Sequence, residues 1–384
     1  MKILAVGGGS GGHVTPVVAV LRELKRHDKT IEIRFWCDHK FAPQARSIVH
    51  DFDGSIEVET IISGKFRRYH NLPWWRQLGR PLSIVLPNIR DAFLIGVGFL
   101  QSIAKLRSWK PDVIFTKGGF VCLPVGMAAK MLNIPLVIHD SDAHPGLTNR
   151  VLSKWATTIA TGAPLTFYSY PPEVSHYVGI PVAKEFRPFA EEARHEYKQK
   201  QGFDPKKPLV VVTGGGLGAR RINTAIAKRL NELLDSTSLV LISGTNQYDE
   251  LRATTPEDDP RFQLHAFVSS GMAELLGAAD VVVARAGATT ILELAALAKP
   301  TILIPNGFLT GGHQLKNAEV YAKTGAVEVI DERELEANPQ LLVDALTSLL
   351  ANKKRLHDMG EAFHEFAKPE AAREMAKLIL EAAE

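Results

Sequence analysis

The run Lys2-Ile3-Leu4-Ala5-Val6 passes directly into Gly7-Gly8-Gly9-Ser10-Gly11-Gly12-His13-Val14, and that junction decides the fold. Five residues with an apolar stretch read as a first β-strand. Behind the glycines, Val14, Val17, Val18, Leu21 and Leu24 recur at helical spacing, so a helix starts at the turn. Its first backbone N–H groups and positive dipole end form a seat for a phosphate or diphosphate, and glycine lets the chain approach that anion closely.

The same unit returns in the second half. Leu209–Thr213 reads as a strand and is followed by Gly214-Gly215-Gly216-Leu217-Gly218. Between and beyond these points short β-rich runs alternate with helical periods: 32–36, 55–61, 113–115, 136–139 and 158–160, then 239–243, 263–267, 280–284, 301–304 and 327–330. Such alternation predicts parallel sheets with crossover helices. The expected architecture is therefore α/β, two Rossmann-like doubly wound parallel-sheet domains. Residues 1–163 form the first and 164–366 the second, with the closing helix at 367–384 packing back on the first. The segment from Pro164 to Pro208 holds seven prolines and reads as a linker.

Composition narrows the function. The chain has 384 residues, 45% hydrophobic and 23% charged, with a formal net charge of +3. That is ordinary globular usage and too weakly basic to indicate nucleic acid. Cys37 and Cys122 stand in no paired spacing, as expected in a reducing cytoplasm. The apolar segment from Ala92 to Ala104 is shorter than the roughly 20 residues that cross a bilayer, so no membrane span is expected. The first glycine turn is not a dinucleotide fingerprint, although Asp38 after the second strand keeps a weak nicotinamide alternative open. No P-loop motif is present.

Individual residues suggest chemistry. His13 stands at a helix start, which disfavours imidazolium and suits a general base; a capping or packing histidine is the alternative. Lys117-Gly118-Gly119-Phe120 supplies a second anion-seating turn in the first half. In Asp280-Val-Val-Val-Ala-Arg285-Ala-Gly-Ala-Thr-Thr-Ile-Leu-Glu293 a strand, turn and helix place the N–H groups of Ala288 and Thr289 toward a diphosphate. Glu293 lies where a carboxylate can accept both ribose hydroxyls, or is a solvated helix residue. Gln314, beyond the glycines at 307, 311 and 312, can both donate to and accept from sugar hydroxyls. Asp140-Ser141-Asp142 and Asp51-Phe52-Asp53 have D-x-D spacing, but no metal is expected, since a leaving diphosphate can be stabilised by helix dipoles and backbone donors. Lys65, Arg67, Arg68, Trp74, Trp75, Arg76, Arg80 and Arg90 interleave cations with bulky apolar groups. This suits the headgroup layer of an anionic membrane; an ordinary loop with inward aromatics is the alternative.

Taken in order, 8–14, 118–120, 214–220, 285–293 and 313–318 resemble the MurG family, GT-B-fold enzymes whose two Rossmann-like domains face each other across a cleft. The resemblance implies an inverting transfer of N-acetylglucosamine (GlcNAc) from UDP-GlcNAc to the 4-hydroxyl of the muramyl sugar of lipid I. The product is lipid II for peptidoglycan, made at the cytoplasmic face of the plasma membrane without a cofactor. It implies His13 as base and Glu293 on the ribose. Ala288 and Thr289 would lie at the UDP phosphates and Val268 at uracil, with Gln314 on the GlcNAc hydroxyls. Ser10, Gly11, Gly12 and Gly216 would border the donor, and Gly118 and Gly119 the acceptor diphosphate. Three departures stand out. The family's His-Glu-Gln-Asn is His139-Asp140-Ser141-Asp142, so Asp142 replaces an asparagine at the donor sugar. Gly-Asn-Pro-Val-Arg is Gly179-Ile180-Pro181-Val182-Ala183, with Lys184 next. A serine is Gly216. Competing expectations are a transferase with another lipid or soluble acceptor, a UDP-sugar epimerase of the same fold, and a non-catalytic sugar-nucleotide-binding subunit.

Overall fold

The computed structural model describes residues 1–8, 11–66, 79, 81–215, 218–268, 270–307 and 312–384; the side chains of 11–13, 15 and 81 lie outside the description. The chain divides into two compact units, Met1–Ala183 with Lys368–Glu384, and Lys184–Ala367.

The first unit runs β1 (Lys2–Val6), α1 (Gly11–His27), β2 (Glu32–Cys37), α2 (Ala42–Phe52), β3 (Glu57–Thr60), α3 (Leu86–Trp109, led in by one π-turn at Pro81–Val85), β4 (Val113–Thr116), α4 (Cys122–Met131), β5 (Leu136–Asp140), α5 (Leu147–Leu152), β6 (Thr158–Thr161) and β7 (Ser175–Tyr177). The strands pair in parallel in the order β3-β2-β1-β4-β5-β6-β7. Because side chains alternate across a strand, Ile3 and Ala5 enter one core with α1 and α2, while Leu4 and Val6 enter another with α3 and α4. A sheet apolar on both faces must be covered by helices on both, which the crossovers supply.

The second unit opens with α6 (Glu191–Lys200). It continues through β8 (Leu209–Thr213), α7 (Arg220–Ser236), β9 (Ser238–Ile242), α8 (Tyr248–Arg252), β10 (Phe262–His265), α9 (Met272–Ala278), β11 (Val281–Ala284), α10 (Ala288–Ala296), β12 (Thr301–Leu303), α11 (His313–Ala322), β13 (Glu328–Val329), α12 (Glu332–Ala337), α13 (Gln340–Leu350) and α14 (Lys353–His364). Its parallel sheet has the order β10-β9-β8-β11-β12-β13. The chain then returns as α15 (Ala371–Ala383), whose Ala371, Met375, Ala376 and Ile379 are buried in the first unit's core.

Two expectations need correction. The boundary at 163/164 moves to between Ala183 and Lys184, because β7, inside the proline-rich stretch, pairs with β6 and extends the first sheet. Proline before an edge strand removes no ladder bond, so Pro171 and Pro172 do not prevent it. The apolar segment ending at Ala104 belongs to a helix that continues to Trp109; from Leu82 to Trp109 it spans 28 residues, long and apolar enough to cross a membrane by length and composition. One face is nevertheless core, with Ile95, Ile103, Leu106 and Trp109 buried. There α3 sits so close to the segment that follows β3 that a Cβ on Gly98 would lie 1.8 Å from the Ile62 carbonyl oxygen.

The docking of α15 is measurable. Ile379→Ala removes a fully buried side chain and should cost the first unit about 3 kcal/mol, read as a lower denaturation midpoint by urea unfolding. An unchanged midpoint would mean that this helix does not complete the core.

Candidate active site

Each sheet reverses direction of winding beside its first strand, between β1 and β4 and between β8 and β11. Ligands of open parallel sheets bind at the carboxyl ends of strands flanking such a point, where the loops part. The glycine turns after β1, β4, β8 and β11 all stand at those ends.

In the first unit the two turns touch backbone to backbone: a Cβ on Gly119 would lie 3.1 Å from the Gly8 carbonyl oxygen, and one on Gly8 would lie 2.6 Å from Asp38 Oδ2. Gly118 and Gly119 hold φ of 86° and 93°, the left-handed region that glycine enters without strain. Asp38 accepts the backbone N–H of Phe41 at 3.2 Å, so it serves the turn leading into α2. Gly11, Gly12 and His13 open α1. Ser10 and the His13 side chain lie outside the described residues.

Behind the second turn is a buried polar cluster. Lys117 donates through Nζ to Ser141 Oγ. Tyr170 donates its hydroxyl to Asp140 Oδ2 at 2.7 Å, and Tyr168, stacked on Tyr170, donates to the Asp142 carbonyl oxygen at 2.9 Å. His139 Nε2 meets the Gly179 carbonyl oxygen at 2.7 Å, so this nitrogen carries the proton and donates. Burial pushes the Asp140 carboxyl up to about 7 against the Tyr170 hydroxyl, and pulls Lys117 down to about 8 against Asp142 and Asp140. The first D-x-D pair thus faces an ammonium of the protein's own. In the second, Asp53 accepts the Ser55 N–H and hydroxyl in a surface turn.

In the second unit a Cβ on Gly218 would lie 2.2 Å from the Ser243 carbonyl oxygen, and one on Gly214 would lie 2.4 Å from the Ala219 nitrogen. Gly216 lies outside the described residues. Opposite, α10 begins at Ala288 behind Gly287, which supplies no side-chain cap. The first-turn N–H groups of Ala288 and Thr289 therefore have no capping oxygen, and the dipole end favours an anion. The turn before it is braced twice. Asn317 Nδ2 donates to the Ala286 carbonyl at 3.1 Å, while buried Arg285 donates to the Ile304 carbonyl at 3.0 Å and to Glu332. Motif residue Arg285 is thereby structural.

Glu293, partly buried on α10, is held up at about 7 by withdrawal from water alone. No protein donor to its carboxylate occurs among the described residues, so a ligand with two hydroxyls would supply what is missing. Gln314 differs from the expectation. Its Oε1 accepts the Asn306 N–H at 2.8 Å, which turns its amide NH2 outward as a donor. Val268 is half-buried in the loop after β10, beside Phe267, which is 60% exposed. An aromatic left in water at a sheet's carboxyl end offers a face for a flat base; that Phe267 would be exposed was invisible in a run read as strand to 267.

The basic and aromatic stretch is only partly described. Lys65 is exposed, while Arg67, Arg68, Trp74, Trp75, Arg76 and Arg80 lie outside the described residues. The expected apolar groups next in sequence extend further along the helix than the stretch read from sequence: Leu82, Leu86, Ile89, Phe93 and Leu100 are exposed, Leu82 by 82% and Phe93 by 71%. Their spacing puts all five on one stripe of α3 and its lead-in.

Family models extend these observations. The glycosyltransferase family 28 N-terminal domain matches residues 3–161 and the family 28 C-terminal domain residues 209–375. A Clostridium kluyveri protein named UDP-N-acetylglucosamine–N-acetylmuramyl-(pentapeptide) pyrophosphoryl-undecaprenol N-acetylglucosamine transferase is 34% identical over 353 residues, 92% of each chain. The crystal structure of Acinetobacter baumannii MurG shares the fold with a TM-score of 0.74 at 23% identity over 99% of each chain. A Neisseria meningitidis UDP-GlcNAc 2-epimerase bound to UDP-GlcNAc also shares it, with 0.65 at 14% over 99% of this chain and 100% of that one. The fold is thus common to transferases and epimerases, but the two domain models and the near-complete relative are not, and the chain belongs to glycosyltransferase family 28.

Proposed function

We propose that this glycosyltransferase moves GlcNAc from UDP-GlcNAc to the 4-hydroxyl of the muramyl sugar of lipid I, with inversion, giving lipid II. The observation that carries the reading is the pairing on α10 of an uncapped amino terminus with a carboxylate parted from water, as a nucleoside diphosphate requires. The β-phosphate would lie on the N–H groups of Ala288 and Thr289, the ribose on Glu293, and uracil beside Val268 and Phe267. Gln314, through its NH2, and Asp142 would meet the GlcNAc. Ser10, Gly11, Gly12 and Gly216 would border it, and Gly118 and Gly119 would take the acceptor diphosphate with Lys65, Arg67 and Arg68.

In the transfer the acceptor oxygen bonds to the anomeric carbon, its proton passes to neutral His13, and the bond to the UDP oxygen breaks. The departing charge is met by backbone donors, so no metal enters. The acceptor's polyprenyl chain resides in a bilayer. The apolar stripe from Leu82 to Leu100, which follows the cations at 65–80 in the sequence and includes Arg90 in its span, supports docking on an anionic membrane surface at the cytoplasmic face.

Three measurements check this. With UDP-GlcNAc and a lipid I analogue in chelator, the purified chain should form disaccharide lipid. His13→Ala should lower turnover by about a hundredfold or more with UDP-GlcNAc affinity retained; free GlcNAc or an epimer as sole product overturns the assignment. Free Glu293 titrates near 7, and ribose hydroxyls favour its ionised form, so UDP affinity should rise with pH through about 7 and then level off. Calorimetry of Glu293→Gln should show roughly tenfold weaker binding at alkaline pH without that component of the slope; an unchanged slope removes the ribose role. Ile89→Asp with Phe93→Asp should cut sedimentation with anionic vesicles by about tenfold or more while UDP binding persists. Equal partitioning of wild type and variant would rule out the stripe.

A further inference from the structure

The two ends of the second sheet are built differently. Its carboxyl ends carry the glycine turns, whereas a cavity of about 650 Å³ opens at the amino ends of β8, β11 and β12. Pro208, Asp280 and Pro300, each the residue before a strand, form part of its wall, and α6 and the start of α14 complete it. That volume lies in the range of small-molecule sites, but such sites are mostly apolar and this one is charged. Six lysine and arginine side chains line it against three carboxylates, an excess equal to that of the entire chain.

The buried cations share one carboxylate. Arg194 donates to Asp280 Oδ1, while Lys198 Nζ and the Leu209 N–H donate to Oδ2 at 2.6 and 2.7 Å. Lys299 Nζ donates instead to the carbonyl oxygens of Gly277 and Ala279, at 2.5 and 2.9 Å, and so closes the end of α9. These bonds explain singly why each cation is tolerated. Together they fall short. Lys198 gives its second proton to the Lys207 carbonyl at 3.0 Å, so each of the two ammonium groups spends two of its three protons on protein. Arg194 Nε is buried with no acceptor among the described residues. Burial draws Lys299 down to about 7, and Arg194 and Lys198 push the same way against Asp280.

The remaining charges do not restore the balance. Glu191 and Glu361 are exposed, and Glu191 stands 3.8 Å from His195, so in water they offset little of the buried charge. Lys206 and Lys353 are exposed too, and neither makes an ion pair with a described residue. The cavity thus carries cations at two levels, Lys198 and Lys299 only 3% and 4% exposed and Lys206 and Lys353 in water. A concave surface of one sign focuses its field on a compact counter-ion. We propose that this cavity binds a soluble, multiply charged phosphate ester or diphosphate, at the end of the sheet opposite the donor turns. A compact polyanion can meet both levels, which a flat lipid surface cannot. None of these residues enters the transfer reaction, so the inference stands apart from the sugar and acceptor readings.

Lysine acetylation of the full chain, read residue by residue by mass spectrometry, tests it with inorganic diphosphate as the probe at constant ionic strength. Saturating diphosphate should slow acetylation of Lys206 and Lys353 by about fivefold or more. Lys200 and Lys354, on the same two helices but outside the cavity and with side chains 69% and 84% exposed, should react as before. Lys206→Glu with Lys353→Glu should raise the diphosphate concentration that half-protects Lys207 by about tenfold. Melting temperatures monitor folding; if the reversal unfolds the chain, Lys206→Gln with Lys353→Gln replaces it, with a shift of about threefold. Equal slowing at all four lysines, no slowing at Lys206 and Lys353, or an unmoved Lys207 midpoint overturns the proposal. Protection by anionic vesicles and not by diphosphate overturns it as well. Diphosphate held at the Ala288 turn leaves these lysines untouched, and a chain that fails to transfer GlcNAc leaves the comparison intact.

Discussion

The structure depends on backbone meeting backbone where side chains would ordinarily stand. At Gly119 against Gly8 the carboxyl ends of neighbouring central strands close to a distance tighter than most Cβ atoms allow, and at Gly218 against Ser243 to one that no Cβ tolerates. Those contacts leave the strand ends bare. The helices that follow can then begin within reach of a ligand, with N–H groups and not side chains in front. A substitution at either place pushes two strand ends apart, and the effect on the ligand site comes before any effect on the core.

Buried charge is handled in opposite ways by the two units. In the first, Lys117, Asp140 and the Tyr170 hydroxyl lie together with Asp142, and burial draws the Lys117 ammonium and the Asp140 carboxyl toward neutrality. In the second, Arg285 and Glu332 close on each other and on Arg221, whereas Glu293 is withdrawn from water with no donor from the described residues. A compensated cluster shapes and aims a surface; an uncompensated carboxylate awaits a partner.

Legibility in the sequence followed the same physics. Strands buried on both faces announce themselves as unbroken apolar runs, which is why β1, β8, β11 and their neighbours could be placed to within a few residues. β7 could not: Ser175-His176-Tyr177 is polar, three residues long and preceded by prolines, and only its pairing with β6 makes it a strand. The glycine turns were legible because no other residue serves there. The commitment of Gln314 to Asn306 was not, since one amide pattern suits both a sugar and a backbone N–H. Lys117 stood in plain view beside a glycine pair, but a lysine in sequence reads as solvated, and its burial arises from β5, some twenty residues further along the chain.

The helix α3 shows why apolar length alone is a poor guide to what a segment does. By composition it could cross a bilayer, yet its Gly98 face is closed against the segment that follows β3, Asp91 is buried, and Lys105 pairs with Glu59. Removing it into lipid would strip a core from the first sheet and bare charged partners on both sides. Its second apolar face, from Leu82 to Leu100, has no such partner among the described residues. A helix that is apolar on two sides and anchored by one presents the other side outward from that core. The docking proposed above fits that geometry: cations next in sequence suit an anionic surface, and an apolar face along one side of a helix favours lying on that surface over threading through it.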